Sequence, residues 1–439
     1  MTNHQAVSET ENLIVNEIAG LEVTELARRF GTPTYVYDAA IILQRRADLS
    51  PFDTVRYAQK ACSNLAILDL LRRAGTLVDA VSAMEVRRAL AAGYTARAEK
   101  EGDPPPIVYT ADIFDHDALS LCIEHGIHVN CGSPDMIDQW ADALEESDAG
   151  DDPINREITL RINPGFGHGH SQKTNTGGPS SKHGIWYEQL QECVARAAAR
   201  GLTVIGLHMH IGSGTDMEHL SQVCGAMESA AFLAGSKIRT VSTGGGLPTV
   251  YKPGDPEADI NEYYRLWDEM RRRLQAEFGH EVHLEIEPGR YLAAESGYLL
   301  AEVRAVKHQA DKLYYLVDAG FNNLARPILY GSYHPISLAP ADGAQDRPLT
   351  EASVGGPLCE SGDIFTQEEG GFVVKRTLPE AQVGDILVIR CAGAYSFVMG
   401  SNYNSRPLAA EVLIRDGKAE IIRERQTFED ITRGERIPE

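Results

Sequence analysis

The sequence predicts an α/β protein, a (β/α)8 TIM barrel followed by a mainly β C-terminal domain. Three observations predict it. Eight short β-rich runs alternate with amphipathic helical stretches; each spacer is long enough for a crossover helix; and from about residue 298 the pattern changes to period-two runs bounded by Gly, Pro and Asp. The eight runs fall at 55–60, 77–82, 107–110, 127–130, 157–162, 203–210, 239–243 and 282–287. Helical spacing of apolar residues marks 64–74, 84–92, 115–125, 134–145, 188–200, 217–234 and 260–278 between them. The strands are mostly apolar on both faces, which suits a parallel sheet covered by helices. An open doubly wound sheet would carry a Gly-rich phosphate turn after its first strand, and Lys60-Ala61-Cys62-Ser63-Asn64 is not one. Period-two runs at 298–306, 312–318 and 385–390 form the second domain. The division predicted is 37–297 for the barrel and 298–439, together with 1–36 and its strand-like 34–37, for the β domain.

With 439 residues, 43% hydrophobic and 24% charged, the chain has room for two globular domains. Its net charge of -22, from 41 basic and 63 acidic residues, argues against nucleic acid or an anionic membrane as partner. Seven cysteines without a CxxC pair read as the reduced thiols of a cytoplasmic protein. The first residues do not read as a signal peptide, and no run of eighteen apolar residues suggests a membrane span.

Barrel enzymes build their sites at the C-terminal ends of the strands. Lys60 ends the first run, and alternation places Arg56, Ala58 and Lys60 on one face, from which a partly desolvated amine could form an imine; a solvated strand-end lysine is the alternative. The seventh strand runs into Thr243-Gly244-Gly245-Gly246-Leu247-Pro248, a simple turn or one whose bare N–H groups close around a phosphate. The eighth ends at Glu285-Ile286-Glu287-Pro288-Gly289-Arg290, with both carboxylates on one face and an exposed Gly-Arg beyond. Such a carboxylate can hydrogen-bond a pyridinium nitrogen or pair with a neighbouring arginine. The sixth offers His208-Met209-His210-Ile211-Gly212-Ser213-Gly214. No third metal ligand has suitable spacing, so no metal is expected; an imidazole stacked on a planar cofactor, with Ser213 near phosphate, fits these residues. The irregular stretch 163–186, rich in Gly, Ser, Asn and His, reads as a lid or binding loop, and its Gly165-Phe166-Gly167-His168-Gly169 is not a dinucleotide fingerprint because no helix follows it. In the β domain, Gly356-Pro357-Leu358-Cys359-Glu360-Ser361-Gly362-Asp363 is a functional loop or a turn around a buried cysteine. Arg326-Pro327-Ile328-Leu329-Tyr330 and Gly393-Ala394-Tyr395 offer donors for carboxylate and phosphate.

Taken in order, these segments resemble the diaminopimelate decarboxylases, within the fold-type III pyridoxal-phosphate enzymes that also include ornithine and arginine decarboxylases and alanine racemase. The resemblance runs from about residue 25 to 425, and the 163–178 loop is similar to that of one bacterial subgroup. It implies the alanine racemase-like fold, with pyridoxal 5'-phosphate as cofactor, Lys60 as the Schiff-base lysine, His210 stacked on the ring and Glu287 at the pyridine nitrogen. It further implies that Ser213, Gly244, Gly245, Gly246 and the Pro288-Gly289-Arg290 turn hold the phosphate. Arg290, Arg326 and Tyr330 would bind the distal end of an amino-acid substrate, and Tyr395 would face both cofactor and substrate. Cys359, as proton donor, and Glu360, reading the distal ammonium, would come from the partner chain of a homodimer with shared sites. The reaction implied is decarboxylation of meso-diaminopimelate at its D-configured centre to L-lysine, the last step of lysine biosynthesis. Rival readings are decarboxylation of a related amino acid, a racemase of the same fold, which resembles a design with arginine at the pyridine nitrogen, and a non-catalytic cofactor carrier, which resembles the barrel alone. Two stretches depart from the family pattern: Val81-Ser82-Ala83-Met84-Glu85 after the second strand, and Ser396-Phe397 after Tyr395.

Overall fold

The computed structural model describes residues 13–98, 100, 102–169, 175–213 and 216–439. They fall into two compact units. One holds Leu43–Thr249 and Pro256–Leu292; the other holds Val250–Asp255, Ala293–Glu439 and the described residues up to Ile42.

The first unit is a closed parallel barrel of eight strands: β1 (Thr54–Ala58), β2 (Leu77–Ala80), β3 (Ile107–Ala111), β4 (His128–Cys131), β5 (Glu157–Asn163), β6 (Thr203–His208), β7 (Thr240–Ser242) and β8 (His283–Ile286). Each pairs with the next, and β8 returns to β1 with Glu285 opposite Thr54. The predicted helices stand between them at Leu65–Arg73, Ala83–Ala91, His116–His125, Pro134–Glu145, Leu190–Ala199, Met217–Ala234 and Ile260–Phe278. Most start at a side-chain cap: Asn64, Ser82, Asp115, Asp216 and Asp259 each accept a hydrogen bond from a first-turn N–H.

The strands are not apolar on both faces as the sequence reading has them. Buried Val55, Tyr57, Val78, Leu160, Leu207, Val241, Leu284 and Ile286 alternate with buried Arg56, Asp79, Arg161, His208, Ser242, Glu285 and Glu287. Period two separates an apolar face for the helices from a polar face that meets across the interior. Near the N-terminal end of that interior, Arg56 Nη2 lies 2.9 Å from Glu285 Oε1, and Arg56 Nη1 donates to Pro105 O at 2.7 Å. The predicted arginine pair therefore forms, but at Glu285 and not at Glu287.

The second unit is a twisted, mostly antiparallel sheet. The long strand Gly297–Gln309 pairs with Lys312–Val317, Ile386–Ile389 and Thr34–Asp38. Thr34–Asp38 in turn runs parallel to Ala410–Arg415, which closes a hairpin with Lys418–Arg423. Val36, Leu300, Val388, Val412 and Ile414 share one buried cluster beneath these strands. All three period-two runs and the 34–37 strand are found. Among the described residues no helix is long and apolar enough to cross a membrane.

Candidate active site

At the C-terminal mouth of the barrel, β1 ends at Ala58 and Lys60 sits in a 3-10 turn, Gln59–Ala61. This corrects the alternation argument: the strand stops before Lys60, and the amine is exposed where partial desolvation is expected. The turn is nonetheless fixed. Gln59 Nε2 donates to Asp79 O and Glu85 O, both at 3.2 Å, and Ala58 N donates to Pro288 O at 3.1 Å. The turn that carries Lys60 is thus tied to β2, to the helix after it and to the segment that follows β8.

Glu287 lies just past β8 with both carboxylate oxygens engaged. Ser242 Oγ donates to Oε1 at 2.7 Å, and His208 Nε2 lies 2.8 Å from Oε2. Burial pushes this carboxyl upward, but the His208 ring, its hydrogen bond, the Ser242 hydroxyl and Arg56 outweigh burial and hold it well below the usual carboxylate range. Glu287 is an anion at the barrel mouth. Asp79 behaves oppositely: burial and the Glu287 charge raise it to about 6 despite Lys60. Glu85 is raised to about 7, chiefly by burial. His210 is pushed well below the ordinary imidazole range by burial, then by Lys60 and Arg161, and is a neutral ring.

The glycine turn after β7 is built onto the same carboxylate. Glu287 N donates to Gly244 O at 2.8 Å, and Gly244 N donates to Ser242 Oγ at 3.2 Å. Gly244 has φ 63°, and a Cβ there would stand 2.3 Å from Met209 O. Ser242 therefore ties Glu287 to the turn. Across from it, Arg290 Nε and Nη2 donate to Ser213 Oγ at 3.1 and 2.9 Å. The Gly289-Arg290 pair is buried, not exposed, because the chain enters a short helix, Arg290–Ala293, there.

The 163–186 stretch is partly organised. Asn175 bridges Gly212, Thr176 N donates to Ile211 O at 3.0 Å, Asn163 Nδ2 donates to Gly178 O, and Ile185–Trp186 pairs with β5. Residues 170–174, and Gly214 of the His208 motif, lie outside the described residues. His208 Nε2 is engaged with Glu287, and its Nδ1 is buried without a protein hydrogen-bond partner. Among the described residues, His168, Asp216 and His219 have the donors to hold an ion. Their geometry also serves a helix start: Asp216 accepts from His219 N at 2.9 Å, and the two imidazoles stack at 3.9 Å.

In the β unit, taken by itself, Cys359 and Glu360 are exposed, which overturns the reading of a turn around a buried cysteine. Asp363 is the buried member of that loop and accepts from Phe321 N and Leu358 N, each at 2.7 Å. Asn404 Oδ1 holds Cys359 N at 2.8 Å. Arg326 is buried at the start of the helix Arg326–Tyr330, and Tyr395 takes a left-handed φ of 56°. Sequence reasoning missed Asp79, Arg161, Ser242, Tyr251 and His334. Asp79 had a signal, a polar residue inside an otherwise apolar strand run; Arg161 and Ser242 stand among other polar strand residues, and Tyr251 and His334 had no signal.

The barrel mouth suits a planar, phosphorylated aldehyde. An exposed amine, a buried anion, a neutral imidazole and a glycine turn stand together, and buried His210 Nδ1, Asp79 Oδ1 and Gln59 Oε1 have no protein partner. Residues 41–294 match the family model described as the pyridoxal binding domain of pyridoxal-dependent decarboxylase. The chain is 49% identical to diaminopimelate decarboxylase of Streptomyces coelicolor over 440 residues, covering 100% of this chain and 97% of that one. It is 49% identical to the enzyme of that name from Escherichia coli K12, covering 94% and 96%. A crystal structure of diaminopimelate decarboxylase, 48% identical, superposes with a TM-score of 0.88 over 96% of this chain and 97% of that one. The Helicobacter pylori enzyme complexed with L-lysine, 29% identical, gives 0.80 over 93% and 98%.

Proposed function

Because the chain belongs to the diaminopimelate decarboxylases, a family of pyridoxal-dependent decarboxylases, we propose that it converts meso-2,6-diaminopimelate to L-lysine and CO2 as the last step of lysine biosynthesis. The carbon that loses CO2 gains one proton. Bound pyridoxal 5'-phosphate would supply the sink for the electron pair left behind. The observation that carries the reading is the buried anionic Glu287 on the same barrel mouth as the Lys60 amine and the glycine turn.

In this proposal the barrel is the cofactor-binding domain. Lys60 would supply the tethering amine, Glu287 would keep the pyridine nitrogen protonated, and His210, a neutral ring, would pack on the bound cofactor. Gly244, Gly245, Gly246, Ser213, Pro288, Gly289 and Arg290 receive the phosphate, with the Arg290–Ser213 contact fixing one side. The β domain serves substrate binding and dimerisation. Arg326, Tyr330 and Arg290 take the distal amino-acid end, and Tyr395 attends cofactor and substrate. Cys359, the proton donor, and Glu360, the ammonium partner, act in the site of the partner chain of a homodimer; their exposure supports that assignment. Seven free thiols support a reducing, cytoplasmic setting.

The test is CO2 release from meso-diaminopimelate beside LL-diaminopimelate, ornithine and arginine, with the imine absorbance of purified protein followed in parallel. Preference for the meso compound, with an absorbance that Lys60→Ala abolishes, is the expected outcome. Equal use of the four substrates, or an absorbance that survives Lys60→Ala, overturns the proposal.

A further inference from the structure

His334 sits 1% exposed in the β unit, and its ring joins Arg326 to the backbone. Arg326 Nη1 lies 2.9 Å from His334 Nε2, and His334 Nδ1 lies 3.0 Å from Arg390 O. A guanidinium has donors only, so Nε2 must accept; a carbonyl has none, so Nδ1 must carry the proton. These two partners fix one neutral tautomer. An imidazolium has no lone pair to offer Arg326.

The other contacts hold the same pair. The Tyr251 ring lies 4.7 Å from the Arg326 guanidinium carbon and edge-on to His334, at 5.5 Å and 80°. Arg376 Nη1 donates to His334 O at 2.6 Å, and its guanidinium stands 3.8 Å over the Tyr333 ring. His334 Nε2 and the Tyr251 ring face both hold the buried Arg326 guanidinium.

We propose that His334 is a positioning residue for substrate specificity: through Nε2 it aims Arg326 at the distal carboxylate of the substrate, the group that distinguishes diaminopimelate from simple diamines. The inference rests on the assignment of Arg326 to that carboxylate. Tyr251 completes the cradle as the ring face beneath the guanidinium.

The test uses the loaded enzyme and reads three quantities: KM and kcat for meso-diaminopimelate, inhibition by L-lysine, which keeps the distal carboxylate, and inhibition by 1,5-diaminopentane, which lacks it. For His334→Ala the KM and the L-lysine inhibition constant rise together by about tenfold, the order of one charge-assisted hydrogen bond. The diaminopentane constant is unchanged, and kcat stays within about twofold. His334→Gln, which keeps an acceptor and a donor, restores most of the loss. An equal rise for both inhibitors, a fall in kcat alone, or no change in either constant overturns the inference. Arg326→Ala separates the two layers. If it leaves L-lysine inhibition unchanged, the Arg326 assignment fails and takes His334 with it; if it weakens inhibition while His334→Ala does not, only the His334 inference fails. Should His334→Ala not fold, Tyr251→Leu must give the same split between the inhibitors, and an equal effect on both rejects the cradle.

Discussion

Replacing Glu285 by glutamine tests the separation of two acids that stand two residues apart at the end of β8. The Arg56–Glu285 pair is 1% and 7% exposed at the side chains, with Nη2–Oε1 at 2.9 Å and Nε–Oε2 at 3.3 Å. Glu285→Gln leaves Arg56 charged in the barrel interior with neutral acceptors alone, the new amide oxygen and Pro105 O. Breaking a buried pair from one side costs about 3–5 kcal/mol, a large share of the roughly 5–15 kcal/mol by which domains are stable. The chain's three tryptophans, Trp140, Trp186 and Trp267, all lie in the barrel unit, so urea unfolding followed by their fluorescence reports that unit. The expected result is a midpoint lowered at unchanged slope, and recovery of most of the loss in Arg56→Met/Glu285→Leu, which removes both charges at similar volume. A loss below about 1 kcal/mol for Glu285→Gln, or no recovery in the double variant, would refute the claim that this pair holds the barrel interior.

Glu287→Gln keeps the shape and removes the charge, so kcat should fall by about 10²–10³-fold while the urea midpoint moves far less than for Glu285→Gln; steady-state CO2 release and tryptophan unfolding check the pair of effects. Because the Glu287 carboxyl is depressed in the folded state, its contribution to stability is present above the ordinary glutamate range and is lost as pH falls through and below that range, and acid unfolding of Glu287→Gln should show a shallower decline. Glu85 has the reverse sign: raised from 4.5 to about 7, it contributes most below 4.5 and loses that contribution as pH rises through 7, so Glu85→Gln should flatten the midpoint between pH 5 and 8, and a parallel decline of both proteins would disprove it. Gly244→Ala sets a Cβ 2.3 Å from Met209 O at a left-handed φ and should cost about 1–3 kcal/mol together with retention of the cofactor on dialysis; full occupancy would contradict the tight turn.

The barrel was legible because each helix carries a 3.6-residue apolar stripe and each strand is short and bounded, signals that survive without tertiary knowledge. The polar interior was harder to see. Asp79 is a single polar residue in an apolar run, whereas Arg161 and Ser242 stand among other polar strand residues, and what all three do depends on which strands become neighbours: Ser242 reaches Glu287 across the β7–β8 pair. Lys60 was found by position, but its local conformation was misread, since a 3-10 turn one residue after a strand has no periodic signature. Glu285 and Glu287 share a strand face, and only their partners separate them: an arginine at one level, a serine and a histidine at the next. His334 and Tyr251 were invisible because their meaning comes from Arg326, which lies close to one in sequence and far from the other.

The strand Thr34–Asp38 lies between Gly297–Gln309 and Ala410–Arg415, and this has a consequence for synthesis on the ribosome. It emerges before the barrel, yet finds its two sheet partners only after the whole barrel has been translated. Until then its backbone donors and acceptors stand open, and its Tyr35-Val36-Tyr37 run is the kind of unpaired apolar edge that invites wrong partners. Folding in order of emergence would complete the barrel first, from sequential βα neighbours, and leave the sheet to close last. A chain stalled before residue 410 would then carry a finished barrel and an unfinished sheet, and slow elongation over the hairpin of Ala410–Arg415 and Lys418–Arg423 would prolong its exposure to chaperones and proteases.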